Sequence, residues 1–210
     1  YSRIVDLPMS VERDLASGQI IAEPVLSEAR RRYLMSIAAL PNDAELQRTY
    51  GRLELRQLNF HTDSSEQLRE VLSTAAEHFR ASIAAAPSQA MNWSLLTYVR
   101  SEMSAPPNEM NNLLRMSYYA GPHEGSSILL RVRSASRMWD RLDDDVKNFT
   151  KADIKEMWRY RELHPTLVDV YLDSNLETRV QIREIVIDSK VSAKKFNSLL
   201  IKALKGVQPD

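Results

Sequence analysis

Apolar residues recur three and four positions apart along most of the chain, and the breaks between runs fall at prolines, capping residues or short polar stretches. Glu23-Pro24-Val25 opens a run that ends near Leu40, with Pro24 suited to a first helical turn. Asn42-Asp43 caps a second run, about Ala44 to Asn59. His61 to Ser65 is polar and reads as a loop. A long helix follows from about Glu66 to Ala86, and Ser88 precedes another from about Gln89 to Met103. Ala105-Pro106-Pro107 interrupts the pattern. Asn108 then starts a run from about Glu109 to Ala120, which Gly121-Pro122 ends. Ser126 to Leu142 is helical again. Further on, Thr150 caps a helix reaching Glu162, His164-Pro165 breaks it, and two or three helices follow, the last from about Val191 to Lys205. The chain is therefore predicted to be all-α.

Asp143-Asp144-Asp145 marks a change of character, because every lysine lies at or beyond Lys147 and the residues before it use arginine alone. This places a soft boundary at residue 145, with a helical-repeat region over 1–145 and a helical capping segment over 146–210.

Three of the runs end alike. Ala29, Tyr33, Ser36, Ile37 and Pro41 stand at offsets 0, +4, +7, +8 and +12; Ala75, Phe79, Ser82, Ile83 and Pro87 repeat that spacing; Met110, Leu114, Ser117, Tyr118 and Pro122 repeat it with Met for Ala. Offsets of 4, 7 and 8 share one helical face. Small residues at 0 and +7 let a neighbouring helix approach, the large residue at +4 fills the space between, and the proline ends the helix. Ala29, Tyr33, Ile37, Ala75, Phe79, Ile83, Leu114 and Tyr118 are thus expected in the core. The pattern resembles the second helix of a tetratricopeptide repeat. Trp93 and Leu96 stand where that family's first-helix Trp-x-x-Leu falls, and Tyr50-Gly51 where its Leu-Gly falls. The proline spacings are 87 − 41 = 46 and 122 − 87 = 35, against a family period of about 34, so the first unit requires an insertion near His61 to Ser65. The resemblance covers roughly Ser10 to Leu142. It departs from the family where Arg100 replaces an aromatic and Thr97 a glycine. It implies a right-handed α-α superhelix, a solenoid of about three helix pairs with extra C-terminal helices.

Composition narrows the function classes. Apolar residues make up 43 % of the 210 positions, enough for a packed core, and only 5 glycines occur. Lys plus Arg and Asp plus Glu number 28 each, which disfavours general nucleic-acid binding. No cysteine is present, so disulfides and thiolate metal sites are excluded. The four histidines, His61, His78, His123 and His164, lack metal-ligand spacing, and no phosphate loop or nucleophile elbow occurs, so neither metal nor cofactor is expected. Asp143-Asp144-Asp145 reads as a helix cap rather than a cation site. Asn92-Trp93-Ser94 and Asn148-Phe149-Thr150 match glycosylation sequons, the first around a tryptophan expected in the core and the second more simply a helix start. The start at Tyr1 suggests that a leader or anchor precedes this segment.

Arginine placement is the most informative chemistry. Arg48, Arg52 and Arg56 recur every four residues, as do Arg133 and Arg137. In tetratricopeptide proteins the first helix of each pair lines the concave groove, so the resemblance implies that both stripes face it, with Tyr98 between them. Guanidinium forks match carboxylates and phosphates bidentately. The chain is therefore expected to be a non-enzymatic adaptor or scaffold that takes an acidic protein segment or anionic polymer. By analogy with bacterial repeat domains, it would serve envelope secretion or polysaccharide assembly as a periplasmic or cytoplasmic domain, with membrane contact only through a segment before Tyr1. The same arginines could instead pair with Glu45, Glu54 and Asp140. The competing class is a helical-toroid enzyme acting on a polysaccharide, for which Glu102, Tyr98 and His123 are the candidate acid-base residues. Two further clusters stand out. Trp158, Arg159, Tyr160, Arg161 and His164 combine aromatic and polar residues, and Trp158 is expected to be buried. Phe196, Leu199, Leu200, Ala203 and Leu204 form an apolar stripe among lysines, as a terminal cap or a membrane-surface helix would.

Overall fold

The computed structural model describes residues 22–59 and 64–205, all helices and their connections. The chain divides into two compact units, Tyr1–Ser104 and Ala105–Asp210. The resemblance's first residues, from Ser10 to Ile21, and His61 lie outside the described residues. Among the described residues no helix is long and apolar enough to cross a membrane.

The first unit contains α1 (Glu23–Ala39), α2 (Ala44–Arg56, continued by one 3-10 turn), α3 (Ser65–Ala85) and α4 (Ala90–Glu102). Pro24 sits in the first turn of α1, where its missing N–H is no loss. Asp43 caps α2 by accepting from the amides of Glu45 and Leu46, both at 3.0 Å. Ser64 caps α3 through the Gln67 amide at 3.2 Å. The indole N–H of Trp93 donates to the Pro87 carbonyl at 2.7 Å and pins the turn into α4. Trp93 is half-buried, while Asn92 of the sequon is fully buried inside the helix.

Leu26, Ala29 and Tyr33 of α1 pack against Leu46, Tyr50 and Leu53 of α2, and Leu72, Ala75, Phe79 and Ile83 fill the face of α3. Of the expected core residues in this unit, Ile37 and Trp93 are only half-buried. The small residues do what their size permits: the Ser82 hydroxyl reaches the Ala44 carbonyl at 2.7 Å, which needs the start of α2 against the end of α3. Gly51 has the closest constraint. A Cβ built there would lie 2.6 Å from the Phe79 ring. A polar network surrounds this contact. Arg30 grips the buried Glu54 through two hydrogen bonds, at 2.9 and 3.1 Å, and Gln57 also donates to Glu54. Tyr50 lies edge-on to His78 at 4.5 Å, and His78 Nδ1 donates to Gln47 at 2.6 Å. Burial, and then Glu54, push the Tyr50 phenol up to about 12. Burial lowers the His78 pKa.

The second unit contains α5 (Pro107–Ala120), α6 (Gly125–Ser136), α7 (Asp144–Arg159), α8 (His164–Asp173), α9 (Leu176–Val186) and α10 (Lys190–Leu204). One core runs from Met110, Leu114 and Tyr118 through Val132, Ile154 and Leu167 to Phe196, so residues on both sides of position 145 share it. Three boundaries differ from the sequence reading. Helix α6 stops at Ser136, and a 3-10 turn, Trp139–Arg141, buries Trp139. Helix α7 starts at Asp144 rather than at Thr150, which is buried within it and returns its hydroxyl to the Val146 carbonyl at 2.9 Å. It ends at Arg159, and His164-Pro165 opens α8 instead of closing its predecessor, because proline is tolerated in a first turn. The Asp143–Asp145 run forms the start of α7. Arg115 binds Asp145 at 2.6 and 2.9 Å and Asp143 at 2.9 Å. Asn111 clamps the same turn through the Arg141 carbonyl and the Asp143 amide.

Two predictions follow from the first unit's core. Gly51→Ala, a change that ordinarily favours a helix by about 1 kcal/mol, here forces a methyl into the Phe79 ring, and overpacking costs about 1–3 kcal/mol. Urea denaturation of the variant should show lower stability than the parent, and a gain would mean that α2 and α3 do not meet at Gly51. The second concerns pH. His78 titrates below its unfolded value of 6.5, so the unfolded chain takes up a proton first as the pH falls. Stability is full above that value and is lost as the pH drops toward the folded pKa. Denaturation at about pH 7.5 and about pH 5.5 should show the loss, and His78→Gln should make it smaller.

Candidate functional site

Helix α2 is buried almost all round, and its remaining face carries Glu45, Arg48, Arg52 and Arg56. The three arginines occupy successive turns. Arg48 pairs with Glu45 and donates to the Gln89 side chain at 3.3 Å, beside the start of α4. Arg52 and Arg56 are half-buried. Burial, and then the charges of Arg48 and Arg56, hold the Arg52 guanidinium below its usual value. The cations are thus close enough to feel one another. Glu54, the other expected partner on this helix, is turned inward to Arg30. Tyr98 is half-buried on α4 of the same unit.

Arg133 and Arg137 belong to the second unit. Arg133 approaches Asp173 at 3.5 Å. Arg137 is exposed just past the end of α6, and Arg141 approaches Asp140 at 3.8 Å. Of the three acid-base candidates, Tyr98 and Glu102 stand on α4 in the first unit, and His123 is exposed in the second. The cluster around Trp158 is split. Trp158 is half-buried and stacks on the buried His164 with centroids 4.3 Å apart, while Arg159, Tyr160 and Arg161 are exposed. In α10, Phe196 is fully buried and Leu199, Leu200 and Ala203 pack on the core, whereas Leu204 is exposed.

Sequence reasoning missed a cleft of about 660 Å³ in the second unit, walled by Tyr118, Phe149, Tyr160 and Ile128 and edged by His123, Glu156 and Arg159. Tyr118 and Phe149 pack with centroids 4.9 Å apart. Asp153 stands in its wall and is gripped by Arg131, which is fully buried, through hydrogen bonds of 2.8 and 3.2 Å. The same guanidinium lies 4.5 Å over the Tyr118 ring and donates to the Gly121 carbonyl at 2.9 Å. Burial pushes the Asp153 carboxyl up while Arg131 pulls against it. The Tyr118 phenol is also raised, by burial first and then by Asp153. A signal was available: Arg131 sits on the apolar face formed by Ile128, Val132 and Ala135, where a charge needs a buried partner.

No protein-family model matches this chain, and no curated protein matches its sequence.

The buried pair yields a double-mutant test. Arg131→Ala or Asp153→Ala alone leaves an uncompensated buried charge and should each cost about 3–5 kcal/mol. Replacing both with apolar residues, Arg131→Met with Asp153→Leu, should cost clearly less than the sum of the single losses in urea denaturation. Additive losses would show that the two groups do not act as a pair.

Proposed function

We propose that the chain is a non-enzymatic helical adaptor, a tetratricopeptide-like solenoid, and that the arginine ridge of α2 takes an acidic segment of a partner protein. The observation that carries this reading is the crowding of Arg48, Arg52 and Arg56 on the one face of α2 left outside the core. Burial first, and then the charges of Arg48 and Arg56, hold Arg52 below its usual value, and a run of carboxylates laid along the ridge would relieve that repulsion. The rigidity of the ridge favours binding, because α2 is fixed on α3 through Gly51 and Phe79 and on α1 through Arg30 and Glu54. The solenoid reading draws support from the three repeated helix endings and from the small residues that bring α2 and α3 together. The non-enzymatic reading draws support from the cleft of the second unit, where Asp153 is held by Arg131 and Glu156 pairs with Arg159 at 3.0 Å.

An oligoglutamate peptide with a fluorescent label is a suitable probe. Its affinity should fall as salt rises, since exposed charges are screened beyond about 8 Å at physiological ionic strength. Arg52→Glu should weaken binding at least about tenfold with the helical circular-dichroism signal retained, whereas Arg183→Glu, an exposed reversal in the second unit, should leave binding intact. Equal effects of the two reversals would reduce the attraction to general charge and remove the ridge as the site.

A further inference from the structure

A second cavity of about 640 Å³ lies between the turn that joins α7 to α8 and one face of α10. It is lined by Arg161 and Glu162 from the turn, His164 and Pro165 from the start of α8, and Lys195, Ser198, Leu199 and Lys202 from α10. Lys195, Ser198 and Lys202 stand at i, i+3 and i+7, so the helix repeat puts them on one side. Their placement is fixed by packing. Phe196 is fully buried, edge-on to Trp158 at 5.8 Å and to Tyr171 at 5.2 Å, and it sets the rotation of α10. Lys195 is thereby carried over the Trp158 ring, with its ammonium 5.1 Å from the centroid. Trp158 in turn stacks on His164, whose Nε2–H donates to the Trp158 carbonyl at 2.8 Å.

We propose that this cavity binds a small soluble molecule bearing a phosphate group, the oxyanion being taken by Arg161, Lys195 and Lys202 with the Ser198 hydroxyl.

The charge around the cavity selects an anion. Three cations face one carboxylate, Glu162, in a chain whose charges otherwise balance at 28 of each sign. His164 forms part of the wall and registers the resulting field. Its pKa is lowered by burial first, and Lys195 and Arg161 lower it further, while the Trp158 carbonyl and Glu162 oppose them. Geometry then favours phosphate over a carboxylate. Two ammonium groups, a guanidinium fork and a hydroxyl are carried by two separate elements, and a tetrahedral dianion presents acceptor oxygens in several directions, whereas a planar carboxylate is satisfied by one fork. A volume of about 640 Å³ lies in the usual range for small-molecule sites, about 300–1,000 Å³, so there is room for a carbon skeleton beside the phosphate, with Pro165 and Leu199 as its apolar contacts. A phospholipid headgroup is disfavoured by the rest of α10. Of its exposed apolar residues, Val191 in the first turn shares the side of Lys195, Ser198 and Lys202, but Ile201 and Leu204 lie on a different side, so a bilayer that covered those two would not also enter the cavity.

Nuclear magnetic resonance of the full chain tests the assignment, with inorganic phosphate and phenyl phosphate as probes. Both should give saturable shift changes confined to the cavity residues, Ser198 and His164 among them, and the bound dianion should raise the pKa of His164 back toward its ordinary value. Lys195→Gln combined with Lys202→Gln should weaken binding at least about tenfold, and Arg161→Gln on the other wall should weaken it independently, so that a fault in α10 alone cannot decide the outcome. Arg52→Glu in the first unit should leave phosphate binding unchanged. Equal shifts with sodium chloride at matched ionic strength, or an unmoved His164 titration at saturating phosphate, would overturn the site. Sedimentation with vesicles of phosphatidylcholine and phosphatidic acid, in the absence of any response to phenyl phosphate, would transfer the basic face to a membrane headgroup and overturn the soluble-ligand assignment.

Discussion

The first unit depends on one close approach, the seating of Gly51 of α2 against the Phe79 ring of α3. No side chain fits between them, since a Cβ would stand 2.6 Å from the ring. That contact sets the rotation of α2 about its own axis as well as its distance from α3. With Gly51 inward, Gln47 and Glu54 share the inner face one turn away on either side, and Tyr50 follows them into the core. Each then needs a polar partner, which Arg30, Gln57 and His78 supply. Arg48, Arg52 and Arg56 are left on the outer side by the same rotation. The arginine ridge is thus a consequence of the glycine contact, and a slip of one residue in α2 would bury part of it.

In the second unit a Cβ added at Gly125 would meet nothing within 4 Å. That unit is held in register by a charge. Arg131 binds Asp153 of α7 and donates to the Gly121 carbonyl at the end of α5, so one guanidinium ties α5, α6 and α7 together. A helix C-terminus leaves carbonyls without intrahelical partners, and Arg131 supplies one of them with a donor. Such a pair adds little net stability over an apolar replacement, because desolvation offsets most of the attraction, yet its rigid fork geometry excludes alternative registers. Arg115 repeats the device nearer the surface, where it joins α5 to Asp143 and Asp145 at the start of α7. Asp145 is consequently held below the usual carboxylate range.

Much of this was legible in the sequence because prolines and caps punctuate it. The ends of α1, α3 and α5 fall within a residue or two of Pro41, Pro87 and Pro122, and the residues at offsets 0, +4, +7 and +8 are buried as their spacing demands, apart from the half-buried Ile37. The start of α7 was misread because Thr150 is a good capping residue in isolation, while the Asp143 carboxylate, at the true cap position, is turned away to Arg115 and gives no side-chain cap bond. The arginines mark the limit of pattern reading. A spacing of four singled out Arg133 and Arg137 on α6 and beyond it, but the arginine that organises the second unit is Arg131, visible only as a charge on an apolar face. The cleft beside Asp153 was not legible, and of the cavity beside His164 only the cluster of Trp158, Arg161 and His164 on one wall stood out. Each is assembled from segments whose juxtaposition is decided by tertiary packing, and Trp158 on His164 and Phe196 on Trp158 have no local sequence signature.

The equality of positive and negative residues hides an unequal use of them. Glu54 and Asp153 face inward, each gripped by a single arginine, and Asp143 and Asp145 close a helix start against Arg115. These carboxylates stabilise the fold and present little charge to an approaching ligand, since a bidentate pair cancels most of its field within a few ångströms. Cations are gathered differently. Arg48, Arg52 and Arg56 crowd one face of α2, and Arg161, Lys195 and Lys202 surround one cavity with a single carboxylate among them. In both places burial first and then the neighbouring cations lower a pKa, that of Arg52 in the first and that of His164 in the second. A neutral chain that holds several of its acidic residues in structural pairs and collects basic residues at two positions carries a local positive field at each, and net charge alone would have concealed it.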